Sequence, residues 1–149
     1  MKILLDTNIM LEIILHREQF DVANHLLTAL SGGDHQVYMT VGGFYGMLFT
    51  VDKYFKKVLA MQEPLRTNSV RSVMTQVLRI VDVAGQKRQT LLNGIQDINF
   101  KDLEDSCQHQ AALEEKCDCM LTFNVKDYNG ASIPVMTPQE FMSRLDFRE

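Results

Sequence analysis

Ile3-Leu4-Leu5-Asp6-Thr7-Asn8, close to the start of the chain, is the stretch whose reading decides the fold. Three consecutive apolar residues read as a short strand buried on both faces, the kind found inside a parallel sheet. Asp6, Thr7 and Asn8 are helix-capping residue types, and Ile9, Met10, Leu11, Ile13, Ile14 and Leu15 follow them. The chain therefore turns from strand into helix at Asp6.

Outward from there, apolar runs too short for helices alternate with stretches of helical period. A second helix is expected from Glu18 to Leu30, where Phe20, Ala23, Leu26, Leu27 and Leu30 recur at helical spacing and Ser31-Gly32-Gly33 ends it. Gln36 to Thr40 reads as the next strand. Gly42-Gly43 precedes an apolar helix from Phe44 to Phe55, closed by Lys56-Lys57, which suits a helix C-terminus. Further helices are expected around Val70–Leu78, Gln86–Ile95, Asp102–Cys117 and Pro138–Leu145. Strands are expected at Ile80–Val83, Cys119–Phe123 and Ile133–Met136. This alternation implies an α/β fold, a central parallel sheet of four or five short strands with helices on both faces. With 149 residues and 17.1 kDa there is room for one buried core, so residues 1–149 are expected to form a single domain.

The composition narrows the function classes. No stretch approaches the roughly 18 apolar residues that cross a bilayer, and Asp6 comes too early for a signal peptide's apolar region, so a soluble cytoplasmic protein with no membrane partner is expected. Three cysteines, with Cys117 and Cys119 in a C-x-C spacing, indicate neither a disulfide framework nor a zinc knuckle. The net charge of −4 is unevenly spread. Lys53 to Arg88 carries eight basic residues against Glu63 and Asp82, a surplus of six, which leaves the remainder at −10. An acidic body with a basic middle can hold a cation in one place and phosphate in another, although solvated helix faces produce the same pattern.

In an open parallel sheet the ligand crevice lies beyond the carboxyl ends of the strands. Asp6 follows the first strand, Asp102, Glu104 and Asp105 open a helix, and Asn124 and Asp127 follow the strand ending near Phe123. Carboxylates gathered without cationic partners raise one another's pKa, and a shared divalent ion relieves that cost. Magnesium or manganese suits an oxygen-only ligand set.

Three blocks now stand in order: Ile3-Leu4-Leu5-Asp6-Thr7-Asn8, Asp102-Leu103-Glu104-Asp105-Ser106, and Leu121-Thr122-Phe123-Asn124-Val125-Lys126-Asp127-Tyr128. Together they resemble the signature regions of PIN-domain proteins, most closely the VapC-like branch of small metal-dependent ribonucleases paired with an antitoxin. The resemblance implies a three-layer α/β/α fold, an RNA substrate, an antitoxin protein as partner, and a Mg²⁺ or Mn²⁺ site. It assigns Asp6 and Asp105 to catalysis and metal ligation, and Asp127, which can reach the site through its loop or serve only as a turn residue, is the third candidate for both. Asn124 and Glu104 stand as further ligands, and Thr7, Asn8 and Thr122 as support. Lys53, Lys56, Lys57 and Arg71 are the candidates for the RNA backbone.

One departure is large. Active relatives place a glutamate near the start of the helix after the second strand, whereas this chain has Thr40-Val41-Gly42-Gly43, with no carboxylate from Gln36 to Val51. Asp52 lies nine residues beyond Gly43, about 13 Å along a helix. A two-metal reaction is therefore not expected, and a catalytically silent PIN domain that binds nucleic acid or protein is the alternative. His109, four residues after Asp105, is a candidate ligand or proton shuttle, but packing explains it better. Tyr45 and Tyr54 are expected to be core or half-buried, and the helix holding Phe44 to Phe55 is a candidate homodimer surface.

Overall fold

The computed structural model describes residues 1–148. In chain order the elements are β1 (Lys2–Leu5), α1 (Thr7–Ile14), α2 (Phe20–Ser31), β2 (Gln36–Thr40), α3 (Val41–Lys57), α4 (Leu65–Ile80), β3 (Asp82–Ala84), α5 (Arg88–Gln96), α6 (Leu103–Glu114), β4 (Cys119–Leu121), a 3-10 turn (Val125–Tyr128), β5 (Val135–Met136) and α7 (Pro138–Asp146). The five strands lie in the order β3-β2-β1-β4-β5 and every pairing is parallel. From β1 the chain winds outward one way through β2 and β3, then crosses to the other side for β4 and β5. The strand order reverses between β1 and β4, which is where such a sheet opens a crevice at its carboxyl edge.

Strand alternation divides the core into two layers. Ile3 and Leu5 point into one cluster with Ile9, Leu26, Met47, Val51, Met74 and Phe141. Leu4 points the other way, into a smaller cluster with Tyr38, Phe100, Ala112, Met120 and Tyr128. Leu4 is fully buried, and removing such a side chain from water contributes about 1.5–3 kcal/mol. On the second face α5 lies directly on α6. A Cβ on Gly94 would fall 2.8 Å from Cys107 Sγ and 2.9 Å from its Cα, so only glycine permits that approach.

The strand and helix expectations hold in kind, with shifted bounds that have local causes. The helix after β2 begins at Val41 rather than Phe44, because Thr40 is its N-cap and its hydroxyl accepts the Gly43 N–H at 2.9 Å. The two glycines therefore sit inside the first turn instead of before it. Ile80 belongs to α4, since the Val81 N–H still bonds the Val77 carbonyl, and β3 starts only at Asp82. Tyr45 is 64% exposed, which corrects its placement as a core or half-buried ring, while Tyr54 is half-buried against the larger cluster. Cys117 and Cys119 are buried thiols, both pushed up to about 11 chiefly by that burial. No described helix is long and apolar enough to cross a membrane.

Candidate active site

Asp6 sits at the reversal point of the sheet. Its backbone N–H reaches across to the Leu121 carbonyl at 2.9 Å, tying the end of β1 to the end of β4. Its side chain caps α1, with Oδ1 accepting the Asn8 N–H at 3.3 Å and the Thr7 hydroxyl at the 3.5 Å limit. Oδ2 accepts from the Thr122 hydroxyl at 2.8 Å, and Thr122 is fully buried. Oδ2, with a single acceptor contact, retains a free lone pair, whereas Oδ1 already accepts twice. Asp6 is only 5% exposed. Burial raises its pKa, against hydrogen bonds from Thr122, Asn8 and Thr7 that lower it, and the charge of Asp127 raises it further.

Asp105 approaches from the first turn of α6, whose N-cap Asp102 accepts the Asp105 N–H at 3.0 Å. The buried Tyr128 hydroxyl donates to Asp105 Oδ1 at 3.1 Å. Burial pushes the Asp105 carboxyl up to about 6, and the neighbouring charge of Asp102 adds to it. The Tyr128 hydrogen bond opposes the rise, while Asp6 and Asp127 contribute further repulsion. Asp6, Asp105 and Asp127 thus lie within electrostatic reach of one another.

The remaining expected residues divide into near and remote. Thr7, Asn8 and Thr122 all touch Asp6. Asn124 follows β4, exposed, its N–H on the Thr122 hydroxyl at 3.0 Å and its carbonyl accepting the Asp127 N–H at 3.0 Å. Asp127 is exposed on the 3-10 turn. Glu104 is also exposed, and its charge acts on Cys107. Lys53, Lys56 and Lys57 occupy the far half of α3, on the order of 15–21 Å along its axis from Gly43, and Arg71 is exposed on α4. His109 is buried against Phe100 with its Nε2 on the Ser132 N–H at 3.1 Å, so it serves packing and loop anchoring.

One contributor escaped the sequence reading. Tyr128 ends the third motif, and a buried aromatic bearing a hydroxyl calls for a polar partner, which was the available signal. Asp102 is among the crevice carboxylates of the sequence, but its cap on the Asp105 N–H and its effect on that carboxyl depend on the folded geometry.

Gly43 stands where the family resemblance leads a glutamate to be expected. A Cβ there would stand 2.5 Å from Thr7 Cγ2 and 2.9 Å from Thr40 Oγ1. No three His, Cys, Asp or Glu side chains among the described residues gather as a ready-made metal cage. Among the described residues the ion pairs are Lys2–Glu115, Arg66–Asp52, Arg66–Glu63 and Lys87–Glu114, so no basic side chain neutralises Asp6, Asp105 or Asp127. Two uncompensated carboxylates with raised pKa values suit a hard cation that keeps most of its water, as magnesium does.

A five-strand parallel sheet carrying an acidic crevice where its strand order reverses defines a class of protein, and the sequence agrees: residues 2–126 match the family described as PIN domain, and the chain belongs to that family. It is 41% identical over 59 residues to Ribonuclease VapC1 of Aquifex aeolicus (strain VF5), a match covering 40% of this chain and 39% of that protein, so about two fifths of the relative's length is spanned. Among solved structures, VapBC2 from Rickettsia felis bound to a promoter DNA fragment superposes with TM-score 0.67 at 14% identity, covering 92% of this chain and 98% of that one. VapBC-1 from nontypeable Haemophilus influenzae gives 0.66 at 15% identity, over 93% and 99%. FitAB bound to IR36 DNA gives 0.67 at 15%, over 91% and 94%. At these identities the likeness is one of fold.

Proposed function

We propose that this chain is a Mg²⁺- or Mn²⁺-dependent endoribonuclease of the VapC type, hydrolysing RNA phosphodiesters and paired with an antitoxin protein. The observation carrying this reading is that the pKa of Asp105, raised by burial, is raised further by the charge of Asp6 at the sheet's reversal point, while neither carboxylate forms an ion pair among the described residues. The match to Ribonuclease VapC1 supports the same activity.

Asp6 and Asp105 would hold the ion, with Asp127 and Asn124 as the further candidate ligands. When bound, such an ion supplies Lewis acidity to a phosphodiester oxygen and a more acidic water. The protein's own part is positional. Thr122 and Asn8 fix both oxygens of Asp6, Oδ2 keeping one lone pair, and Tyr128 fixes one oxygen of Asp105. The helix dipole of α1 favours the ionised form of Asp6 at its N-terminus, against the cost of burial. Lys53, Lys56, Lys57 and Arg71 would meet backbone phosphates distant from the cut.

A second reading has its own support. Gly43 is packed against Thr7 in place of an acid, which favours a domain that binds nucleic acid or protein without cutting it. Asp6→Asn separates the two: it removes one charge at nearly constant volume. Metal-dependent cleavage of a single-stranded RNA should fall by at least about 100-fold, with the melting temperature preserved. Cleavage at the wild-type rate would remove the proposed active site, and absence of cleavage by the wild type under millimolar manganese would favour the silent domain.

A further inference from the structure

Beside the acidic crevice lies a cleft of about 330 Å³, lined by Asn99, Lys101, Asp102, Lys126, Asp127 and Asn129. Its walls are the loop entering α6 and the 3-10 turn after β4, the two segments that also deliver Asp105 and Tyr128. Asp102 and Asp127 belong to the cleft and both act on Asp105, so cleft and crevice adjoin. The wall is closely fitted. A Cβ on Gly130 would lie 2.7 Å from the Asn99 carbonyl oxygen, so glycine lets the turn close onto the loop.

Lys101 and Lys126 are exposed, and among the described residues neither pairs with a carboxylate within 4.0 Å, although Asp102 and Asp127 are their sequence neighbours. Their charges remain available to an external anion, and Asn99 and Asn129 add amide donors. A polyanion drawn to this end of an acidic body needs cations close by, and the basic residues of α3 lie too far along that helix to supply them. The cleft is at the small end of ligand-pocket volumes, enough for a single nucleotide unit.

We propose that Lys101 and Lys126 form a phosphate-binding subsite, gripping the backbone phosphate next to the one presented to Asp6 and Asp105. This rests on the nucleic-acid reading above and adds where the strand runs: across the α6 entry loop and the 3-10 turn.

The test is fluorescence anisotropy with a labelled, 2′-O-methylated single-stranded 10-mer RNA in EDTA, so that binding is read without cleavage. Lys101→Gln combined with Lys126→Gln should weaken binding at least roughly threefold at low salt. It should also lower the slope of log affinity against log salt by about 1.4, the value for two contacts on a single strand. A smaller loss, or an unchanged slope, overturns the subsite. Displacement of the RNA from wild-type protein by equimolar decaglutamate also overturns it, since the cleft would then serve acidic protein. Asp6→Asn tests the nuclease reading separately: retained cleavage there leaves the lysine result standing.

Discussion

The α-carbon of Gly43 faces the methyl group of Thr7 so closely that a Cβ would stand 2.5 Å from it, inside any real carbon contact. Overpacking of this kind costs about 1–3 kcal/mol, against at most about 1 kcal/mol of helix propensity gained when glycine becomes alanine. Gly43→Ala is therefore expected to lower the melting temperature by several degrees. Thr7→Ser, which removes the methyl and keeps the hydroxyl, should restore much of the loss in the double variant. The missing acid is consequently more than one substitution away, because glutamate at this position meets the same methyl. An alanine variant as stable as wild type would show that Thr7 moves aside freely.

Asp105 makes the metal-free protein sensitive to pH in a defined direction. Its carboxyl is pushed from the ordinary 3.8 up to about 6, so between these values the native state holds a proton that the unfolded chain releases. Its contribution to stability is thus fully present below about pH 4 and lost as pH rises through 6. In EDTA, Asp105→Asn should gain stability relative to wild type on going from pH 4 to pH 7. Millimolar manganese at pH 7.5 should stabilise wild type and much less this variant. Parallel melting curves for the two proteins across that pH range would contradict the assignment.

Tyr128 holds Asp105 in place through one hydrogen bond of 3.1 Å, and burial raises the phenol's pKa so strongly that it stays a donor throughout. Tyr128→Phe removes that donor with almost no change of volume. Stability should fall by about 0.5–1.5 kcal/mol, and the Asp105 carboxyl should titrate higher than in wild type. Carboxyl carbon chemical shifts followed through pH 4–8 measure this directly, and an unchanged or lower midpoint would show that the hydroxyl does not act on Asp105.

The sheet was legible because its strands are short apolar runs bounded by caps, and Asp6 announces both its strand end and its helix start. The position of Asp105 was readable from its motif. What escaped were relations across the fold. Nothing in the sequence says that Gly43 faces Thr7, since the contact joins the first turns of two different helices. Tyr128 and Asp105 are 23 residues apart and meet only because α6 and the 3-10 turn pack together. The charge of the Lys53–Arg88 segment was plain, but helix length carries its lysines away from the crevice. The unpaired Lys101 and Lys126 gave no comparable signal, because each sits beside an aspartate that a linear reading pairs with it.

His109 anchors the segment that follows the 3-10 turn, and its chemistry is open to a direct check. Because Nε2 accepts the Ser132 N–H at 3.1 Å, the proton of the neutral ring belongs on Nδ1, which is buried without a partner among the described residues. Burial lowers its pKa from 6.5, with Asp97 opposing, so its contribution is present above about 6.5 and lost as pH falls. That sign is opposite to the sign for Asp105 in an adjoining window, and only difference measurements against single variants separate them. Nitrogen NMR at pH 7.5 should find the Nδ1–H tautomer, and a proton on Nε2 would exclude the Ser132 bond. His109→Leu should cost only about 1 kcal/mol through this contact, because exposed Ser132 can turn its freed N–H to water. The Ser132 amide should nevertheless exchange with solvent faster in that variant, and unchanged exchange would show that the loop is held by other contacts.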